Sequence, residues 1–377
     1  MDEHINTMMP DLLIKKKLFV VCGSGGVGKT TLAASLALKT AFLGHRTIVL
    51  TIDPARRLAT SLGVSLEGSK ARKIDPDILD KINGGKIVKG ELFAMMLDTK
   101  NTFDEVIARY SPSKDIQHKI LENKIYQHLS QMMAGSQEYM AMEKLHEIVS
   151  EEKYDIVIID TPPTVHAIDF LEAPQKMMDA ISHSMLHLLL KPAMMVGKTG
   201  FGFFEKGSQF ILKIFDRITG FAFLQDISEM LVSFKELLGG FQSRAQEVEA
   251  ILKKDTTSFV VVSGVDQRSV SETKFFIEKL MDLHLPFDGV IANRVSPFEA
   301  FKMTMEQEVA LSQLVSKELA YKMSLVMQMF TNEADRQKVF LEDLFSFLSK
   351  KQFLIKIPLM EEDIHSLEGL GKLSQVL

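Results

Sequence analysis

Residues 23–31, Gly23-Ser24-Gly25-Gly26-Val27-Gly28-Lys29-Thr30-Thr31, constrain this chain more than any other stretch. Glycines at these places let successive backbone N–H groups turn inward and cradle phosphate oxygens. In a loop of this kind Lys29 reaches the β- and γ-phosphates and the Thr30 hydroxyl holds Mg²⁺. A helix opening at Lys29 adds its positive dipole end. The pattern G-x-x-x-x-G-K-T carries weight only between a strand and a helix, and both flanks are present. Lys17–Cys22 is a short apolar run of strand type, and Thr31–Leu38 is a good helix former. The expectation is a phosphate-binding loop in which Gly25, Gly26, Val27, Gly28, Lys29, Thr30 and Thr31 hold a nucleotide.

Apolar runs of β character recur at Arg46–Thr51, Leu92–Leu97, Asp155–Asp160, Ser258–Ser263, Phe287–Ala292 and Phe353–Ile357, with helical patterns between them. Strands alternating with helices imply βαβ units and a doubly wound, mostly parallel sheet, here of about seven strands. Two stretches break that rhythm, at about residues 102–150 and 173–254. Together they predict one helical subdomain inserted into a single α/β P-loop domain spanning 1–377. The chain's 377 residues exceed the length of about 250–300 at which one core stops growing, so a large domain with a subdomain is the natural organisation.

The second stretch holds much of what is unusual in composition, which runs to 22 Met and 25 Phe with no Trp. Met177, Met178, Met185, Met194 and Met195 precede a segment rich in Phe and Gly, and Ile227, Met230, Leu231, Phe234, Leu237, Leu238 and Phe241 mark one helical face. Two readings stand. The faces pack on one another as a core, or they form a groove for an apolar client, to which flexible Met side chains adapt.

Net charge of −5 argues against a nucleic-acid partner engaged through a global positive field. The single cysteine, Cys22, rules out disulfide scaffolds and cysteine-based metal sites, and reads as a small buried apolar residue. The ten His residues show no ligand-like spacing. Without an apolar leader or a run of about 18 uncharged apolar residues, the expected location is cytoplasmic.

Tyr154–Asp160 is an apolar strand ending in a carboxylate, which makes Asp160 the second Mg²⁺ element, acting through water. Asp53 leaves the second strand at the edge where ligands sit in open α/β sheets, placed to orient an attacking water. The same Asp53-Pro54 pair would also suit a helix N-cap, as the lesser alternative.

The loop, Asp53-Pro54-Ala55 and Asp160-Thr161-Pro162-Pro163-Thr164-Val165-His166 resemble the arsenite-transporter ATPase family, which includes the guided-entry tail-anchored-protein targeting ATPases and belongs to the deviant Walker A class. The stretch from Asp226-Ile227-Ser228 through Thr256-Thr257-Ser258-Phe259-Val260, and Ile357-Pro358-Leu359-Met360, extend the resemblance along nearly the whole chain. It implies an ATPase using ATP and Mg²⁺, with Asp53 as the catalytic residue of the first switch and 160–166 as the second. It implies that Asn293, with Pro358 nearby, recognises adenine; an asparagine can donate to and accept from a purine edge, or simply cap a loop. It also implies a homodimer or heterodimer and a client such as a hydrophobic helix of a membrane protein.

The departures matter as much. The family's signature lysine, second in the loop, crosses to the partner's phosphates; here that position is Ser24. The family's His-Asn after Asp-Pro-Ala is Arg56-Arg57, so either arginine could replace the missing charge. No Cys-x-x-Cys exists to clasp a dimer through zinc, and the metalloid-binding cysteines are missing too. A switch or scaffold with negligible hydrolysis, one half of a heterodimer, is the competing reading.

Overall fold

The computed structural model describes residues 8–123, 126–127, 136–182, 240–297, 304–364 and 366–377. Among them one eight-stranded sheet runs through the molecule: β1 (Leu18–Gly23), β2 (Arg46–Thr51), β3 (Arg72–Lys73), β4 (Glu91–Met96), β5 (Ile156–Asp160), β6 (Thr257–Ser263), β7 (Phe287–Val295) and β8 (Phe353–Pro358). Their spatial order is β3-β4-β2-β5-β1-β6-β7-β8, and every pair is parallel except β3 with β4.

The central strands are buried on both sides, as a doubly wound sheet requires. Along β1, Leu18, Val20 and Cys22 join one apolar cluster while Phe19 and Val21 join another. The first cluster takes in the helices Ser136–Ser150, Thr164–Ser182 and Gln267–Asp282. The second takes in Lys29–Phe42 and the C-terminal helix Leu367–Val376. The result is a three-layer sandwich with helices on both faces.

All seven strands expected from apolar runs are present. The eighth, Arg72–Lys73, is two exposed residues paired antiparallel with β4 at the sheet's edge, with no apolar pattern to announce it. Between β4 and β5 the described residues form the helices Thr99–Tyr110, Lys114–Leu121 and Ser136–Ser150. Between β5 and β6 they form Thr164–Ser182 and a helix over 240–253. The side chains from Met177 through Leu238, which carry most of the expected groove, lie outside the described residues. Phe241 is inside them and is buried in the first cluster.

A second helical excursion, to which no reading of the sequence was attached, separates β7 from β8. It comprises Met305–Leu314 and the 31-residue helix Lys317–Phe347. Among the described residues no helix is long and apolar enough to cross a membrane.

Candidate nucleotide-binding site

The loop after β1 needs glycine at two places for separate reasons. Gly23 has φ of +144°, and a Cβ there would run into the carbonyl oxygen of Val262 on β6. Gly28, at φ +97°, sits at the N-cap of the Lys29–Phe42 helix with no side-chain cap, and a Cβ there would meet the Asn293 amide. The helix's first N–H groups are thus left free for an anion. Lys29 is buried, and its Nζ donates to the carbonyl oxygen of Ser24 at 2.8 Å. Burial lowers its pKa; the charge of Asp160 opposes this and that of Arg57 adds to it. Ser24 is itself buried, so the second loop position offers a carbonyl oxygen and no cation.

Asp160 ends β5 in register with Val21 of β1 and Thr51 of β2. Its Oδ2 accepts from Thr30 Oγ1 at 2.7 Å and from Thr51 Oγ1 at 2.8 Å, while its buried Oδ1 has no hydrogen-bond partner among the described residues. Desolvation outweighs those hydrogen bonds and lifts its pKa to about 6. A buried carboxylate with a spare lone pair, one hydroxyl away from a phosphate loop, suits Mg²⁺, which takes few protein ligands and keeps several waters. Among the described residues no group of three or more His, Cys, Asp and Glu could hold a metal alone, so phosphate and water would complete such a shell.

Beyond β2 the chain makes a tight turn. Asp53 Oδ1 accepts from the Ala55 N–H at 3.0 Å, and the Arg57 N–H donates to the Ala55 carbonyl at 2.8 Å. The helix begins at Arg57 with Arg56 as its N-cap, so Asp53 closes the turn before the helix and does not cap it. Arg56 and Arg57 are both exposed.

A cleft of about 810 Å³ joins these pieces, a size suited to a small-molecule ligand. Gly25, Gly26, Gly28, Lys29, Thr30, Thr31 and Asp53 line it, as do Asn293 and Pro358 from the far end of the sheet. Two expected site residues stand behind its wall. Val27 is packed in the core, its carbonyl accepting from Asn293 Nδ2 at 2.8 Å, and Asp160 is fully buried beneath Thr30. His166 is exposed, 3.8 Å from Glu138 and 4.0 Å from Asp169. Cys22 is a buried free thiol whose pKa burial pushes up to about 12.

Several residues at the site had no reading from sequence. Thr51 holds Asp160, and only the pairing of β2 with β5 reveals it. Gln137, on the Ser136–Ser150 helix, donates to the carbonyl of Ile52, the residue before Asp53. Arg294, at a left-handed φ of 60°, and Glu362 line the cleft beside Asn293 and Pro358. Their neighbours in sequence, already singled out, were the available signal.

A profile of the anion-transporting ATPase family matches residues 16–326. The chain is 25% identical over 383 residues to ATPase GET3 of Ajellomyces dermatitidis, an alignment covering 100% of this chain and 95% of that one. It is 24% identical over 363 residues to a protein of Aquifex aeolicus named as an arsenical pump-driving ATPase, covering 96% and 78% respectively. With ATPase GET3B of Arabidopsis thaliana it shares 27% over 307 residues, covering 75% and 65%.

Proposed function

The chain belongs to the anion-transporting ATPase family and is an ATP-hydrolysing enzyme, and from that premise we propose that hydrolysis of Mg²⁺-ATP in this cleft switches a helical layer that binds an apolar client. The observation that carries the reading is the convergence on one cleft of the loop residues Lys29 and Thr30, Asp53, and the Asn293 and Pro358 pair. Lys29 and the free N–H groups of the loop bind the β- and γ-phosphates. Thr30 and, through water, Asp160 hold Mg²⁺, which neutralises charge on the phosphate oxygens. Asp53 orients the attacking water, whose oxygen bonds to the γ-phosphorus as the bond to the β–γ bridging oxygen breaks. ADP and phosphate leave, and the proton passes to solvent. Asn293 reads the adenine edge and Pro358 packs near the base.

Two short connections support coupling of the cleft to the helices. Asp160 leads through Thr161-Pro162-Pro163 directly into the Thr164–Ser182 helix. Gln137 ties the Ser136–Ser150 helix to Ile52 beside Asp53. Asp160 is thus three residues from the helical layer, and Asp53 is one residue from a hydrogen bond to it. The inserted segments at about 102–150 and 173–254 form that layer as a subdomain, and its Met- and Phe-rich faces take a hydrophobic helix of a membrane protein.

Lys29→Ala tests the first half of this reading. It removes a charge-assisted contact worth ~1.5–3 kcal/mol or more, and ATP binding should be lost; unchanged affinity would reject the site. Phe234→Ser with Leu238→Ser tests the second half. Lost capture of an apolar helical peptide by a folded protein supports the groove, and global unfolding marks the face as core.

A further inference from the structure

Position 24 carries a serine, so the loop contributes a single ammonium, Lys29, and that ammonium is already held by the Ser24 carbonyl. Charge on a transferring phosphoryl group is spread over its equatorial oxygens, and a second cation aimed there has a large effect on rate. Building on the reading of this cleft as an ATP site, we infer that Arg57 supplies that cation from within the same chain.

The geometry favours Arg57 in three respects. First, it lines the same cleft as Lys29, Thr30 and Asp53. Second, its backbone is fixed while its side chain is free. The Asp53–Ala55 turn closes against the Arg57 N–H, and Leu58 and Leu62, which follow it, are buried against the core that holds the loop helix. The guanidinium is exposed and, among the described residues, has no ion pair. By contrast Arg46, Arg109, Arg244 and Arg268 are each paired with a glutamate. An arginine fixed at its root, unpaired at its tip and beside a phosphate loop is preorganised for a polyanion. Third, Arg57 is the first residue of its helix, with its N–H bonded back into the Asp53 turn, whereas Arg56, which lines the same cleft, is the N-cap outside that helix. The charge of Arg57 also adds to the burial that lowers the Lys29 pKa, and a phosphate bound in this cleft would be attracted by both cations.

Ser24 and Arg57 are then complementary: the loop supplies one cation, Lys29, and the turn after β2 supplies the other within the same chain.

The test compares Arg57→Ala, Arg57→Lys and Arg56→Ala with the unchanged protein by steady-state hydrolysis and by binding of a fluorescent ADP analogue with and without aluminium fluoride. Arg57→Ala should lower kcat by ~10³-fold or more with a small change in KM. It should still bind the ADP analogue but lose the slow release that aluminium fluoride imposes, because that complex mimics the transferring phosphoryl group. Arg57→Lys should recover part of both, and Arg56→Ala should cost far less. Melting temperature should hold, since the side chain is exposed. Mixing Arg57→Ala with Lys29→Ala protein should restore no activity if the arginine works in cis.

Unchanged kcat and unchanged fluoride response in Arg57→Ala would overturn the assignment, as would a loss confined to KM or to Arg56→Ala. Activity recovered in the mixture would move the arginine to the partner's site and overturn action in cis. If the unchanged protein binds no ADP analogue, the reading of the cleft itself fails, an outcome distinct from all of these.

Discussion

The Asn293 side-chain amide donates to the carbonyl oxygen of Val27 at 2.8 Å, tying the end of β7 to a loop 266 residues earlier in the chain. Its Oδ1 accepts from the Arg294 N–H at 3.0 Å, so the amide orientation is set from both ends. The side chain expected to read the base is therefore also a strut of the phosphate loop, and Gly28 must be glycine because Asn293 occupies the space a Cβ would need. In the proposed reading, base recognition and phosphate recognition share one residue.

Asn293→Ala should consequently weaken both. Loss of a partly buried hydrogen bond costs about 1 kcal/mol of stability, and the freed Val27 carbonyl adds to it. ATP affinity should fall roughly tenfold, which is 1.4 kcal/mol. Asn293→Asp should be worse than Ala, because a carboxylate oxygen then faces the Val27 carbonyl. Thermal unfolding and nucleotide titration on both variants check this.

Asp160 should make stability depend on pH in an unusual direction. Its pKa of about 6 in the folded protein lies above the ordinary carboxylate value of 3.8, so between those limits the folded state holds the proton more tightly. Stability without nucleotide therefore falls as pH rises from about 4 to about 6, by on the order of 3 kcal/mol in full, and stays lower above that. Asp160→Asn should remove this slope and raise the melting temperature at neutral pH while weakening Mg²⁺-nucleotide binding. Melting curves from pH 4 to 7.5, with and without Mg²⁺-nucleotide, separate the two effects.

Arg244 should be the most costly single charge to remove from the helical side. Its Nε donates to Glu143 Oε2 at 2.6 Å, both side chains are buried, and the guanidinium lies 3.8 Å from the Tyr110 ring centre. Burial raises the Glu143 pKa despite the pull of Arg244. Arg244→Ala strands that carboxylate and should cost ~3–5 kcal/mol, read as a lowered urea midpoint. Replacing Arg244 and Glu143 together by Met and Leu should cost much less, because no charge is left uncompensated.

Dimerisation, if it follows the family, should be weak and indifferent to chelators. The only thiol is Cys22, buried in β1, and no cysteine pair exists to share a zinc ion. Sedimentation should detect association that strengthens with an ATP analogue and is unaffected by chelation of zinc. A chelator-sensitive dimer would contradict this.

The sequence by itself determined the sheet's seven main strands and the phosphate loop, because both are written locally. An apolar β-branched run has few ways to be satisfied other than as a buried parallel strand, and the spacing of Gly23, Gly28 and Lys29 meets demands set by backbone conformation within nine residues. It also singled out Asp53 and Asp160 by their places at strand ends, and Asn293 and Pro358 through the family resemblance. What lies between distant segments was decided only by the tertiary structure. Whether Asp53 caps a helix or closes a turn depends on where the helix begins, and the chain delays that to Arg57. That Thr51 shares Asp160 with Thr30 depends on the register of β2 against β5, which no local pattern encodes. The two-residue β3 has no apolar face, so only its partner β4 makes it a strand. Contact between Asn293 and Val27 likewise requires β1, β6 and β7 to lie side by side, since hydrogen-bond partners far apart in sequence meet only when the sheet's strand order brings them together.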